Sequence, residues 1–179
     1  VTPSWRERQE RSSARTEPSP AVDPASERRD RVRWSLLIFV FALLVRGAVV
    51  WQLAGSLLFD TIVGDARNYD AWARQIAAGD WVGGEVFYQA PLYPYFLALV
   101  YRWISADLLV VRCVQIVLGA ASCAFLAQAG WRFFSRPVGI AAGLLLAVYA
   151  PAVFSDATIQ KSVLDVFLVC IALWILGGI

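Results

Sequence analysis

Five stretches of the chain are almost unbroken in apolar residues, and polar stretches of very different length separate them. The first, residues 34–59, is long enough to cross the ~30 Å hydrocarbon core of a bilayer, which takes about 20 residues. The second, residues 90–104, is entered through APLYPY. Pro91 and Pro94 are tolerated there because first-turn N–H groups of a helix lack partners in any case. A tight turn at 105–107 leads to the third, residues 108–131. RFFSRP connects it to the fourth, residues 138–154, and after SDATIQK a fifth begins near Ser162. The pattern predicts an all-α fold: a polytopic transmembrane helical bundle of about five spans. Gly139 and Gly143 form GxxxG, a weak signal for close helix packing.

Residues 60–90 separate the first two apolar runs. Within them Tyr69, Trp72, Ala73 and Ile76 recur at i, i+3, i+4 and i+7, which predicts a short amphipathic helix lying on the membrane surface. Asp65 stands where its N-cap belongs and Gly79 where it stops. Residues 1–33 show no apolar periodicity and predict a disordered tail. The domain organisation is thus a 1–33 tail and a 34–179 membrane module whose first outer loop is 60–90.

Composition agrees with the pattern: 59% of the 179 residues are hydrophobic and 17% charged, too few charges for a soluble domain so rich in apolar side chains. Eight of the 15 arginines lie in residues 1–33, with six acids beside them. This basic tail directly precedes the first span, which predicts a cytoplasmic N-terminus. Alternation then places RFFSRP, with Arg132 and Arg136, on the outer side, against the positive-inside tendency. The first apolar run starts too late for a signal peptide. The chain stops inside an apolar run, ALWILGGI, which predicts the N-terminal part of a longer protein.

Some chemistries are excluded early. There is no histidine, and Cys113, Cys123 and Cys170 sit singly in apolar runs, predicting buried, unreactive thiols and no zinc site. No Gly-rich nucleotide loop is present, and the acid-balanced tail offers no platform for nucleic acid. A divalent metal stays open: Asp65 and Asp70 could give it oxygen ligands, but two carboxylates are too few to argue one.

Two residues call for an explanation. Arg46 lies 12 residues into the first span, roughly 18 Å past Trp34. There it either snorkels to the far interface or pairs with a lipid phosphate or a carboxylate of the 60–90 loop. Asp65 is either a plain helix cap or a functional carboxylate.

The order of features, D-x-x-x-Y…G-D-W…Y-x-x-P between a first span and a run of further spans, resembles the N-terminal part of the GT-C glycosyltransferases that use polyprenyl-phosphate sugars, such as protein O-mannosyltransferases and bacterial aminoarabinose transferases. The resemblance covers residues 36–179. It implies an active-site role for Asp65, with Tyr69 four residues on. Gly79, Asp80 and Trp81 match the family's GDW. Tyr88 and Pro91 match a Y-x-K-x-P-type motif, and Arg112 with Gln115 matches V-R-x-x-Q. Ala66 stands where the family has Glu, Gln89 where a lysine is common, and Lys161 near where an acid is often found.

On this resemblance the expected activity is inverting transfer of a sugar from a polyprenyl-phosphate donor to a protein or glycolipid acceptor outside a bacterial cytoplasmic membrane. Asp65 is the expected base, Tyr69, Tyr88 and Gln89 line the substrate site, and Arg46 and Arg112 are expected to meet the phosphate. Arginine keeps its charge at low dielectric and binds phosphate through paired hydrogen bonds. Two other classes stay open: a transporter or channel subunit, suggested by Arg46, Arg112 and Lys161 inside or beside spans, and a non-catalytic assembly protein packing through small residues.

Overall fold

The computed structural model describes residues 5, 23–56, 59, 62, 64–82 and 89–179. The chain divides into two units, Val1–Asp30 and Arg31–Ile179. Among the described residues all regular structure is helical: α1 (Pro24–Leu53), α2 (Asp65–Ala77), α3 (Leu92–Trp103), α4 (Leu108–Phe133), α5 (Arg136–Val148), α6 (Ala150–Ala157) and α7 (Ser162–Leu176).

In the first unit the described part is the opening of α1. The Asp23 carboxylate accepts a hydrogen bond from the Ala25 N–H at 3.1 Å, and Pro24 takes the first helical position, where a missing N–H is harmless. Residues 24–33 are therefore helical rather than part of a disordered tail. Their alanine, glutamate and arginines are good helix formers and extend a helix that is capped in front and anchored behind. The rest of the expected tail, Trp5 apart, lies outside the described residues.

In the second unit α1 buries one stripe, Ser35, Ile38, Ala42, Arg46 and Val50. Leu36, Leu37, Val40, Phe41 and Leu44, on its other faces, are exposed. A helix apolar on both its packed and its open faces suits lipid rather than water. α4 is opened by Asp107, whose carboxylate accepts from the Leu109 N–H at 2.8 Å. It is the central helix. α5 lies directly on it through Gly139 and Gly143: a Cβ at Gly139 would stand 2.3 Å from the Ala127 carbonyl, and one at Gly143 2.8 Å from the Ala127 Cβ. The GxxxG pair is thus a packing face. α5 and α6 are bent by 53° at Tyr149, and α7 returns along α4, where the Trp174 indole donates to Gln128 at 2.9 Å.

Two helices, Ala25–Leu53 and Leu108–Phe133, are long and apolar enough to cross a membrane, and the bent α5–α6 pair makes a third if it is one span. The segment 90–104 is different. Its helix, α3, has 12 residues, a rise of about 18 Å. α1 runs antiparallel to α4: Ile38 and Ala42 cluster with Cys123 and Ala127, and Val50 clusters with Ile116. The end of α1 and the start of α4 therefore share one end of the bundle, and α3 does not carry the chain between ends. It packs instead against α2 and Val111. This corrects the alternation expected from sequence. RFFSRP lies at the opposite end, beside the start of the apolar run of α1, with the Arg136 guanidinium 5.9 Å from the Trp34 ring.

The surface helix is also corrected in its packing. Ala66, Tyr69, Ala73 and Ile76 of α2 are buried in a cluster with Tyr93, Leu97 and Ala98 of α3 rather than laid on a membrane. A protein partner covers the apolar face that the periodicity only says must be covered. The helix ends in a Schellman motif at Gly79, φ +112°, where the Gly79 N–H reaches Ile76 O at 3.0 Å and the Asp80 N–H reaches Gln75 O at 3.1 Å. Cys123 and Cys170 are buried as expected, whereas Cys113 is exposed on α4.

Candidate active site

Asp65 opens α2 as its first helical residue, and the cap is Gly64, φ 62°, with no side-chain bond to the helix. The Asp65 carboxylate accepts a hydrogen bond from the Gln89 amide at 2.8 Å, across 24 residues of chain. Two of the residues expected in the site are therefore in contact, and the simple N-cap role for Asp65 is not the one adopted. A carboxylate in the first turn still benefits from the helix dipole.

Tyr69 lies one turn further on and is 4% exposed. Its ring meets that of Tyr93 edge to face, with centroids 5.1 Å apart. Burial pushes the Tyr69 phenol above its ordinary value, and the negative charge of Asp65 adds to the rise. It stays a neutral donor and is not a base. Tyr88, the fourth expected residue of this group, lies outside the described residues.

Under the head of α2 is a cavity of about 210 Å³ lined by Phe59, Ala66, Arg112, Phe154, Thr158 and Gln160, among others. Arg112 is buried, 4% exposed. Its Nη2 donates to the Phe59 carbonyl at 2.7 Å, and its guanidinium stands 3.9 Å from the Phe59 ring centroid. A cation held over an aromatic face keeps its charge in a poorly solvated place. Because α3 does not cross the bundle, Arg112 sits at the same end as Asp65. Strict alternation of five spans would instead put Arg112, four residues into the 108–131 run, at the end opposite Asp65.

Arg46 is elsewhere. Its Nε donates to the Asp156 carboxylate at 2.6 Å, with the two side chains 1% and 5% exposed. Its Nη1 donates to the Ala147 carbonyl at 3.2 Å and to Ala42 O at 3.5 Å. This corrects the expectation of an interface, a lipid phosphate or a loop carboxylate: the partner is a carboxylate of α6, within the bundle. The guanidinium is turned into the bundle, so Arg46 does not join Arg112 at the cavity.

Other expected residues have structural partners. Asp70 accepts from the Tyr101 hydroxyl at 2.5 Å and from Arg74 at 3.0 Å, which ties α2 to α3. Lys161 pairs with Asp165 at 2.8 Å on the surface. Gln115 is fully buried. It accepts from the Tyr93 hydroxyl at 2.7 Å and donates to Thr158 O at 2.6 Å and Asp156 O at 3.2 Å. It thereby links α3, which supports α2, to the strand of chain lining the cavity. Sequence reasoning missed Asp156, Thr158 and Gln160, all within SDATIQK. The available signal was an acid placed after a proline-broken apolar run. Among the described residues no three Cys, Asp or Glu side chains converge as a metal site.

Comparison with known proteins adds no identification: no family model, curated protein or solved structure matches the chain.

Proposed function

We propose that the chain belongs to a membrane glycosyltransferase that moves a sugar from a polyprenyl phosphate to an acceptor hydroxyl with inversion. The observation that carries this reading is the Asp65–Gln89 contact at 2.8 Å, next to a cavity that holds the buried Arg112. A base, an orienting amide and a cation thus come from three separate parts of the chain.

The chemistry follows from these groups. The acceptor oxygen attacks the anomeric carbon while its proton passes to Asp65. The bond from that carbon to the phosphate oxygen breaks, and its electron pair leaves with the phosphate. Gln89 holds one carboxylate oxygen and leaves the other to take the proton. Arg112 supplies positive potential at the cavity, where low dielectric makes it effective against the departing charge. Arg46, committed to Asp156, has no part in the step. On this reading α1, α4, the α5–α6 pair and the shorter α7 pass through a cytoplasmic membrane with the N-terminal tail inside, and α2 and α3 sit at the outer end.

The test is transfer from a panel of polyprenyl-phosphate sugars by the full native protein in nanodiscs, read as release of polyprenyl phosphate. Asp65→Asn is expected to lower the rate about a hundredfold or more with unchanged thermal unfolding. Undiminished transfer by a folded Asp65→Asn protein would overturn the proposal. The bent α5–α6 pair with an ion pair inside it favours one second reading, a transporter subunit. Uptake of the lipid-linked sugar into vesicles without release of polyprenyl phosphate would support that one instead.

A further inference from the structure

α3 carries a second stripe besides the one it buries against α2. Tyr95, Ala98, Leu99, Arg102 and Trp103 fall at i, i+3, i+4, i+7 and i+8 and so share one helical face. This face encloses a cleft of about 210 Å³ against a second wall made by Ile76, Ala77 and Trp81 at the end of α2. The second wall is held in place. After the turn at Gly79 the Trp81 carbonyl accepts from the Tyr95 hydroxyl, and the two rings lie 6.3 Å apart, inclined by 30°. Trp81 and Trp103 are nevertheless 54% and 79% exposed, and Arg102 and Leu99 are exposed at the same cleft. α2 runs from Asp65 to Ala77, a rise of about 18 Å. The cleft therefore lies at the far end of α2 from the proposed base and is not where the reacting phosphate sits.

We propose that this cleft binds one anionic phospholipid of the outer leaflet, with an acyl chain against Leu99 and the two indoles and the phosphate at Arg102. The chemistry of the lining decides among ligands. Among the described lining residues Arg102 is the one charged side chain, and none carries a carboxylate or an amide. A sugar, whose hydroxyls donate as well as accept, finds no such acceptor there, whereas a phosphodiester only accepts and suits a guanidinium. An apolar wall beside a single cation matches an amphiphile with one negative charge. The location agrees: exposed tryptophans at one end of a membrane bundle mark the level of the lipid interface, and α3, 12 residues long, is too short to leave that level by crossing. By bridging the end of α2 to α3, the lipid holds the helix that carries Asp65 at a fixed depth. The proposal rests on the membrane-spanning part of the reading above and is independent of sugar transfer. Extraction of the chain from membranes by alkaline carbonate without detergent would sink both, whereas absence of transfer leaves this one standing.

The experiment is photo-crosslinking of the full native protein in phosphatidylcholine nanodiscs that contain a small fraction of phosphatidylglycerol or phosphatidylcholine with a diazirine in one acyl chain, the label being mapped by peptide mass spectrometry. The expected result is labelling of Trp81 and residues 95–103 about fivefold stronger from the anionic probe, the weight of one arginine beside an anionic headgroup. Arg102→Gln should remove most of that preference and Arg102→Lys should keep most of it, as Lys161→Gln should keep all of it. Leu99→Trp, which fills the cleft, should lower its labelling by either probe about fivefold or more at unchanged thermal unfolding. Arg102 and Leu99 are both exposed, so each variant remains a folded probe if the other does not. Equal labelling by the two probes, an unchanged preference in Arg102→Gln, or unchanged labelling of a folded Leu99→Trp protein would overturn the proposal. Loss of the label in millimolar soluble oligosaccharide would make the cleft a sugar site instead, and loss in millimolar inorganic phosphate a site for the free anion.

Discussion

Arg46 and Asp156, 110 residues apart, meet at 2.6 Å in the middle of the bundle, and the bend between α5 and α6 explains why an arginine is needed there. Pro151 lacks an N–H, and its ring collides with the carbonyl four residues back, which is Ala147. That carbonyl loses its helical donor. Arg46 supplies the replacement at 3.2 Å and balances its own charge on Asp156. One side chain thus satisfies the proline-broken turn and links α1 to α6. Removing one partner of a buried pair leaves the other uncompensated, at a cost of about 3–5 kcal/mol. Arg46→Met and Asp156→Leu are each expected to be destabilised by that order in thermal or denaturant unfolding. Arg46→Met combined with Asp156→Leu should be clearly less destabilised than the two single costs together. Strict additivity would show that the pair is not coupled.

Gly119 makes the pair possible. A Cβ at that position would stand 1.9 Å from Asp156 Oδ2 and 2.7 Å from Arg46 Nε. Gly119→Ala normally gains helix propensity, about 1 kcal/mol. Here the methyl group must displace a buried carboxylate, so the expected outcome is net destabilisation by about 2 kcal/mol or more. The same substitution in an Asp156→Ala background, which removes both the Cγ and the Oδ2 that the methyl would strike, isolates the clash with the carboxylate, and a smaller loss there would identify it as the cause. A stabilised Gly119→Ala protein would mean that the pair is looser than its geometry implies.

Most of the helices were legible as apolar runs. Residues 108–131 and the start at Ser162 correspond to α4 and α7, and the 138–154 run corresponds to α5 and α6, with the break at Tyr149 hidden because Pro151 is equally compatible with a bend or a new helix. What the pattern does not carry is which apolar surface meets lipid. LYPYFLALVYRW is as apolar packed on α2 as it would be in a bilayer, so the parity of the chain was lost at α3. The partner of Arg46 was invisible for a different reason. An ion pair across two distant helices leaves no local periodicity. Asp65 and Gln89, by contrast, were singled out through the order of motifs, and the fold brings them together.

The parity has a direct consequence for accessibility. In a background with Cys113, Cys123 and Cys170 replaced by alanine, single cysteines at Ser105, Gln160 and Ser135 report the ends of three connections. Because α3 does not cross the bundle, Ser105→Cys and Gln160→Cys are expected to react with a membrane-impermeant maleimide from one side. Ser135→Cys should react from the other, together with Arg33→Cys, an exposed position at the start of the second unit. A strict five-span alternation predicts instead that Ser105 shares its side with Arg33. That result would restore α3 as a span and separate Arg112 from Asp65.

The contact between Gln89 and Asp65 yields the sharpest functional expectation. It is a surface hydrogen bond, so its loss in Gln89→Ala should change stability by no more than about 0.5 kcal/mol. If the amide orients the carboxylate for proton transfer, its loss acts on the rate. A misplaced base lowers kcat, with little change in KM, because the lipid phosphate is held by other groups. A fall of about tenfold or more in kcat at nearly constant KM is therefore expected for Gln89→Ala, with Gln89→Asn retaining little because its amide is one methylene short. A rise in KM at constant kcat would place Gln89 against the donor instead. No change in either constant, in a variant that unfolds like the parent, would remove Gln89 from the site and leave Asp65 to be positioned by α2 alone.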